Sequence, residues 1–151
     1  MKITEYDDYT IIAEYNRRFK SVSEKASKAA DVYNLFIKQY AKDNPERDRE
    51  HFYVMFLNGQ NELIAIEKLF SGSITTAAVY PREVIKAVLK NEAAYIILAH
   101  NHPSGSLDPS NSDRALTKKL QTACQAIDVE ILDHIIVGKT DYFSFADHRL
   151  L

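Results

Sequence analysis

Apolar positions recur along this chain in two registers, one of period two and one near 3.6 residues, and these separate strands from helices. Residues 94–99 are an unbroken apolar run around Tyr95, Ile96, Ile97 and Leu98, which reads as a buried strand. Residues 52–57 predict another strand, and residues 63–70 its hairpin partner across an Asn58-Gly59 turn that Gln60 and Asn61 lengthen. Gly72 marks a second turn. Residues 129–137 form a further strand, residues 138–141 a turn and residues 142–145 a last strand. Two weaker β signals lie at residues 9–15, an edge or accessory strand, and at residues 75–79.

Three helical stripes alternate with these strands. Ser21 and Glu24 stand at capping-box spacing and open a helix with the stripe Ala29, Val32, Tyr33, Phe36 and Tyr40, which Asp43-Asn44-Pro45 stops. Pro81 suits the first position of a helix ending near Asn91. Ser110 has N-cap chemistry and opens a third helix with the stripe Leu116, Leu120, Ala123, Cys124 and Ile127. The alternation predicts an α/β sandwich, a mixed sheet with helices on both faces.

Composition narrows the class. At 151 residues the chain has the length of one domain with a real core. No basic-then-apolar start reads as a signal peptide, and no apolar run reaches membrane-spanning length. Cys124 is the only cysteine, which excludes an internal disulfide and suits a cytoplasmic location. It sits within a helical stripe and no histidine is placed to activate it, so packing is the expected role. A net charge of −2 and a pI near 6.2 argue against a broad nucleic-acid-binding face. Arg17, Arg18 and Lys20 are a small basic cluster of the kind that usually forms a solvated edge.

The candidate chemistry lies where the run at residues 94–99 ends, in His100-Asn101-His102-Pro103-Ser104-Gly105, with Ser110 and Asp113 downstream. His100 and His102 at i and i+2 face one side if the chain is still extended there. Pro103 and Gly105 force a turn, and Asp113 falls in the first turn of the next helix. Two neutral imidazoles and a carboxylate form a three-ligand zinc set that leaves the fourth position for water. The competing reading is structural: Ser110 to Asp113 is also a plausible capping box, and histidines beside a turn can be ordinary polar loop residues.

These residues resemble a known pattern. His100-x-His102-Pro103 followed by Ser110-x-x-Asp113 looks like the JAMM motif of the MPN-domain metalloprotease superfamily. The fuller string HNHPSG…PS..D…T..L, followed by LDHIIVG from Leu132 to Gly138, is similar to the RadC-like branch. The family's loop often has an acidic residue directly after the glycine; here Ser106 and Leu107 intervene before Asp108. The resemblance implies an MPN-like (cytidine-deaminase-like) three-layer α/β sandwich. It assigns residues 49–151 to a RadC-like JAB/MPN domain, with residues 1–48 as a strand-and-helix extension of it. All four glycines lie after residue 58, so no Gly-containing helix-hairpin-helix segment is expected within residues 1–48.

The resemblance also implies zinc held by His100, His102 and Asp113, and an upstream Glu as general base for amide hydrolysis by water on the metal. Glu50, just before the strand at residues 52–57, is favoured over Glu67 in the next strand, although it could simply end an exposed charged loop. Ser110 is implied as a donor to the tetrahedral oxyanion, besides its capping role. Asp133 and His134 interrupt an apolar strand; either one faces the site as support for a ligand, or both are exposed at a bulge. His51 and His148 bear no spacing relation to the motif. The expected function is zinc-dependent hydrolysis of a peptide or isopeptide bond in a protein or peptide substrate. The alternatives are a non-catalytic zinc module of RadC-type DNA repair or mobile-element biology, and a metal-dependent nuclease. The acidic balance and the lack of a second carboxylate cluster weaken the nuclease.

Overall fold

β1 (Glu50–Leu57) shows why the sheet needs two covering layers. Its side chains alternate between faces, yet all seven residues after Glu50 are buried. The computed structural model describes residues 10–12, 28–74 and 78–151. Within them β1 is followed by β2 (Leu63–Gly72), β3 (Tyr95–Asn101), β4 (Glu130–Val137) and β5 (Tyr142–Ser144), in the sheet order β2-β1-β3-β4-β5. β1 pairs antiparallel with β2 and β3, β3 parallel with β4, and β4 antiparallel with β5.

The helices are α1 (Ala29–Asp43), α2 (Pro81–Lys90) and α3 (Asn111–Gln125). α3 supplies the crossover that the parallel β3–β4 pair requires. Tyr53, Met55, Leu57, Ile97 and Ala99 pack with Val32, Phe36, Ile37 and Tyr40 of α1 on one face. Phe52, Val54, Phe56, Ile96 and Leu98 pack with Val84 and Val88 of α2 and Leu116, Leu120 and Cys124 of α3 on the other. The result is the three-layer α/β sandwich expected. β1 and β3 supply most of the largest fully buried side chains, and each such side chain contributes ~1.5–3 kcal/mol. The strands that bear Glu50 and His100 are therefore the best-anchored parts of the sheet. Among the described residues no helix is long and apolar enough to cross a membrane.

Several expectations change. Thr10–Ile12 are helical, not strand, and Ile12 packs against the α1-side core; the rest of the 9–15 segment lies outside the described residues. Helix α1 starts at Ala29, after Lys28 in an extended conformation with no side-chain cap, while Ser21 and Glu24 lie outside the described residues. Ala78 and Val79 form a turn into α2, not the end of a strand; residues 75–77 are outside the described set. Gly72 ends β2 as the partner of Glu50 instead of forming a separate turn, with φ of +132°, a value L side chains rarely adopt.

β4 carries one irregularity with consequences for the site. Ile96 pairs with Ile131 but Ile97 with Asp133, so Leu132 is an extra residue in the ladder. Beyond it the face of each side chain is exchanged. Asp133 lies toward α1, and His134 lies toward α3 beside His100. The strand bulge considered for this pair therefore exists, yet both residues are buried.

Candidate metal centre

His100 is on the α3 side of β3, in line with Ile96 and Leu98, and is fully buried. His102 follows the strand's end, where its backbone N–H donates to the Val137 carbonyl at 3.0 Å and extends the β3–β4 ladder by one bond. The Gly105 N–H then donates to the His102 carbonyl at 2.9 Å and closes a turn, with Gly105 at φ of +83°. Gly138 at the end of β4 lets this loop approach: a Cβ there would lie 2.8 Å from Leu107 Cδ2 and 3.0 Å from the Gly105 carbonyl oxygen. The extended geometry puts both imidazoles on one side, with their Nε2 atoms 3.1 Å apart.

Asp113 arrives from α3, and here the structural and chemical readings both hold. Ser110 Oγ accepts from the Asp113 N–H at 3.0 Å, and Asp113 Oδ2 accepts from the Ser110 N–H at 2.8 Å, a complete capping box. The cap fixes the carboxylate so that Oδ1 lies 3.3 Å from His100 Nε2 and Oδ2 lies 3.2 Å from His102 Nε2. Glu50, half-buried at the start of β1, completes the group: one ligand atom from each of the four residues lies within 4.8 Å of the others. Glu67 is elsewhere, bonded to Lys90 Nζ at 2.6 Å and Asn91 Nδ2 at 3.0 Å, where it ties β2 to α2.

The donor set fits a small divalent cation. A tetrahedral ion with bonds of about 2.0–2.1 Å needs ligand–ligand edges of about 3.3 Å. The His100 and His102 Nε2 atoms are 3.1 Å apart, near that edge, and each faces its own oxygen of Asp113, Oδ1 at 3.3 Å and Oδ2 at 3.2 Å, so the carboxylate spans the pair. The Ser106 carbonyl, 2.8 Å from His102 Nδ1, can only accept, so Nδ1 carries a proton and the neutral ring has its lone pair on Nε2. At position 106, where the sequence departs from the family's loop, the contact with His102 comes from the backbone carbonyl and not from the side chain.

The charges respond to this crowding. Burial works against the Asp113 carboxylate, yet the two imidazoles packed against it, His100 and His102, hold its pKa far below the ordinary range. Burial depresses His100. It also opposes charge on His102, but Asp113, the Ser106 carbonyl and Glu50 raise that ring overall. Burial raises Glu50, with His102 opposing and Asp113 reinforcing the shift.

Around these four residues lie two supports with no sequence expectation attached. Asn101, between the two histidines, is buried; its Oδ1 accepts from the His51 N–H at 2.6 Å and its Nδ2 donates to the Arg49 carbonyl at 2.8 Å. It thus clamps the backbone on both sides of Glu50. Thr117, one turn along α3 from Asp113, contacts His134, and the i, i+4 spacing was the available signal. His134 is the member of the Asp133–His134 pair that faces the site, with Nε2 2.8 Å from His100 Nδ1. His51 bonds Ser71 and the Glu46 carbonyl, and His148 stacks on Phe143, so neither joins the centre. Cys124 is buried in the core and burial pushes its thiol up to about 11, in keeping with packing.

The model of the RadC-like JAB domain family matches residues 26–150. This chain belongs to the RadC-like JAB domain family. A UPF0758 protein of Actinobacillus pleuropneumoniae serotype 5b is 47% identical over 136 residues, which cover 90% of this chain and 62% of that protein. UPF0758 proteins of Haemophilus ducreyi and of Haemophilus influenzae strain 86-028NP are 44% and 42% identical, covering 90% and 99% of this chain and 61% and 67% of theirs. The RadC-like chain described here thus spans about three fifths of the first of these relatives.

Proposed function

We propose that this RadC-like domain is a zinc-dependent hydrolase of peptide or isopeptide amide bonds, with His100, His102 and Asp113 as ligands. The observation that carries the reading is the convergence of the two Nε2 atoms, 3.1 Å apart, on the Asp113 carboxylate at 3.2–3.3 Å, with the Glu50 carboxylate beside them. A zinc ion there would polarise a substrate carbonyl and make an attacking water more acidic. Glu50 accepts the proton that the water loses as its oxygen bonds to the carbonyl carbon. It then delivers that proton to the leaving nitrogen as the C–N bond breaks. Its burial, which raises its proton affinity, suits that exchange. Ser110 Oγ accepts from Asp113, which leaves its own proton free to donate to the oxyanion. A net charge of −2 supports a peptide or protein partner over nucleic acid, and the lone buried thiol suits a reducing cytoplasm.

Glu50→Gln tests the base. The amide cannot take the proton, so cleavage of any peptide or isopeptide substrate should fall ~10²–10⁴-fold while zinc content stays at the wild-type value. Glu67→Gln should cleave normally. A wild-type chain that holds no zinc by elemental analysis, or that cleaves nothing in a peptide and isopeptide library when zinc-loaded, would overturn the reading.

A further inference from the structure

We infer that Thr117 and His134 are positioning residues that set the tautomer of His100 and so make its Nε2 able to hold a metal. The inference rests on reading the centre as a metal site. The direction of each hydrogen bond follows from the one before. Thr117 has a single hydroxyl proton, which it donates to the Asp113 backbone carbonyl at 2.7 Å. Toward His134 Nδ1, 2.6 Å away, Thr117 Oγ1 therefore accepts, and Nδ1 carries the proton. His134 is fully buried between the Phe52 and Phe145 rings, with no carboxylate among its hydrogen-bond partners, so it is neutral and its Nε2 holds a lone pair. That lone pair receives a proton from His100 Nδ1 at 2.8 Å. His100 is then left with its own lone pair on Nε2, where the other two ligands converge.

The alternative direction is equally continuous and would disable the site. If Thr117 gave its proton to His134 Nδ1, His134 Nε2–H would donate to His100 Nδ1. His100 Nε2 would then carry a proton and could not bind a cation. The Asp113 carbonyl selects between the two directions by claiming the Thr117 proton. The relay also joins the backbone of one ligand on α3 to the ring of another on β3, so the centre is closed as a ring.

Thr117→Val removes the selection while it keeps the shape of the side chain. His134 Nδ1 then faces a methyl group, which favours the tautomer with its proton on Nε2. Zinc affinity of the 151-residue chain, measured by competition with a chromophoric chelator, should fall ~10–100-fold. Thr117→Ser should restore it, and the cobalt-substituted Thr117→Val chain should lose intensity in the tetrahedral visible bands. Long-range ¹H–¹⁵N spectra of the zinc-loaded wild type should show the proton on Nδ1 of both His100 and His134. Protonated Nε2 on His134 in that spectrum, or unchanged zinc affinity in a Thr117→Val chain with wild-type thermal stability, would overturn the inference. Wild type that binds no zinc would defeat the metal reading instead.

Discussion

Asn101 shows how much a single side chain can settle. Both halves of its amide are used, one on the His51 N–H and the other on the Arg49 carbonyl, and Glu50 is held between them. It touches neither Asp113 nor either imidazole through these bonds, so its loss should separate the carboxylate from the ligands. Asn101→Ala orphans the buried His51 N–H, worth ~1–3 kcal/mol, and removes the part-buried bond to the Arg49 carbonyl. The expected outcome is a chain less stable by a few kcal/mol in urea, at wild-type zinc stoichiometry, with amide cleavage reduced because Glu50 is no longer fixed. If Asn101→Ala lost its zinc but kept its stability, the clamp would be acting on the ligands and not on Glu50. A polar residue between two histidines reads as a spacer in the sequence, because nothing local says that its partners lie fifty positions upstream.

At the level of elements, the extra residue Leu132 decides which member of the Asp133–His134 pair meets the centre. Period-two alternation alone leaves that open, since inserting one residue exchanges the faces of everything beyond it. The other elements of the site were legible because their signals are local. The apolar run of β3, the capping box at Ser110 and the turn residues Pro103 and Gly105 each predict their own geometry. The start of α1 was not legible: the extended Lys28 breaks off before Ala29 without a side-chain cap. Asp133, turned away from the metal centre, has a structural task. Its carboxylate accepts from the His134 and Ala146 N–H groups and from Ser144 Oγ, and so binds β4 to β5 and to the turn beyond. Asp133→Asn retains an acceptor for the two backbone donors and should unfold close to wild type. Asp133→Ala removes the acceptor from both and should cost ~1–3 kcal/mol for the buried His134 N–H alone. Equal urea midpoints for the two variants would contradict this role.

Across the whole molecule, the sandwich brings the start of β1, the end of β3 and the start of α3 together at one end of the central strands, and the candidate metal centre is where they meet. Its chemistry is therefore coupled to folding. Without zinc, His102 is raised above its usual value, chiefly by Asp113, against the effect of its own burial. A raised histidine contributes stability that is complete below its unfolded pKa of about 6.5 and is lost as pH rises through the folded value. Asp113 is lowered, so its contribution is present above about 4 and fades only as pH falls toward the depressed folded value. The metal-free chain should accordingly lose stability from near-neutral pH upward as the proton leaves His102. On the proposed function, zinc would take the place of that proton, so its binding should weaken in acid and strengthen as His102 deprotonates. At free zinc 100 times the dissociation constant, binding adds about 2.7 kcal/mol of stability. Thermal melts with zinc and with a chelator, run from pH 5 to 8, should therefore diverge progressively as pH rises, the zinc-loaded chain holding its Tm while the metal-free chain falls. Asp113→Asn keeps a carbonyl oxygen at the cap but loses the charge that raises His102, and the two melting curves of that variant should lie close together across the range. Parallel curves for the wild type would mean that zinc and the His102 proton do not compete for one place.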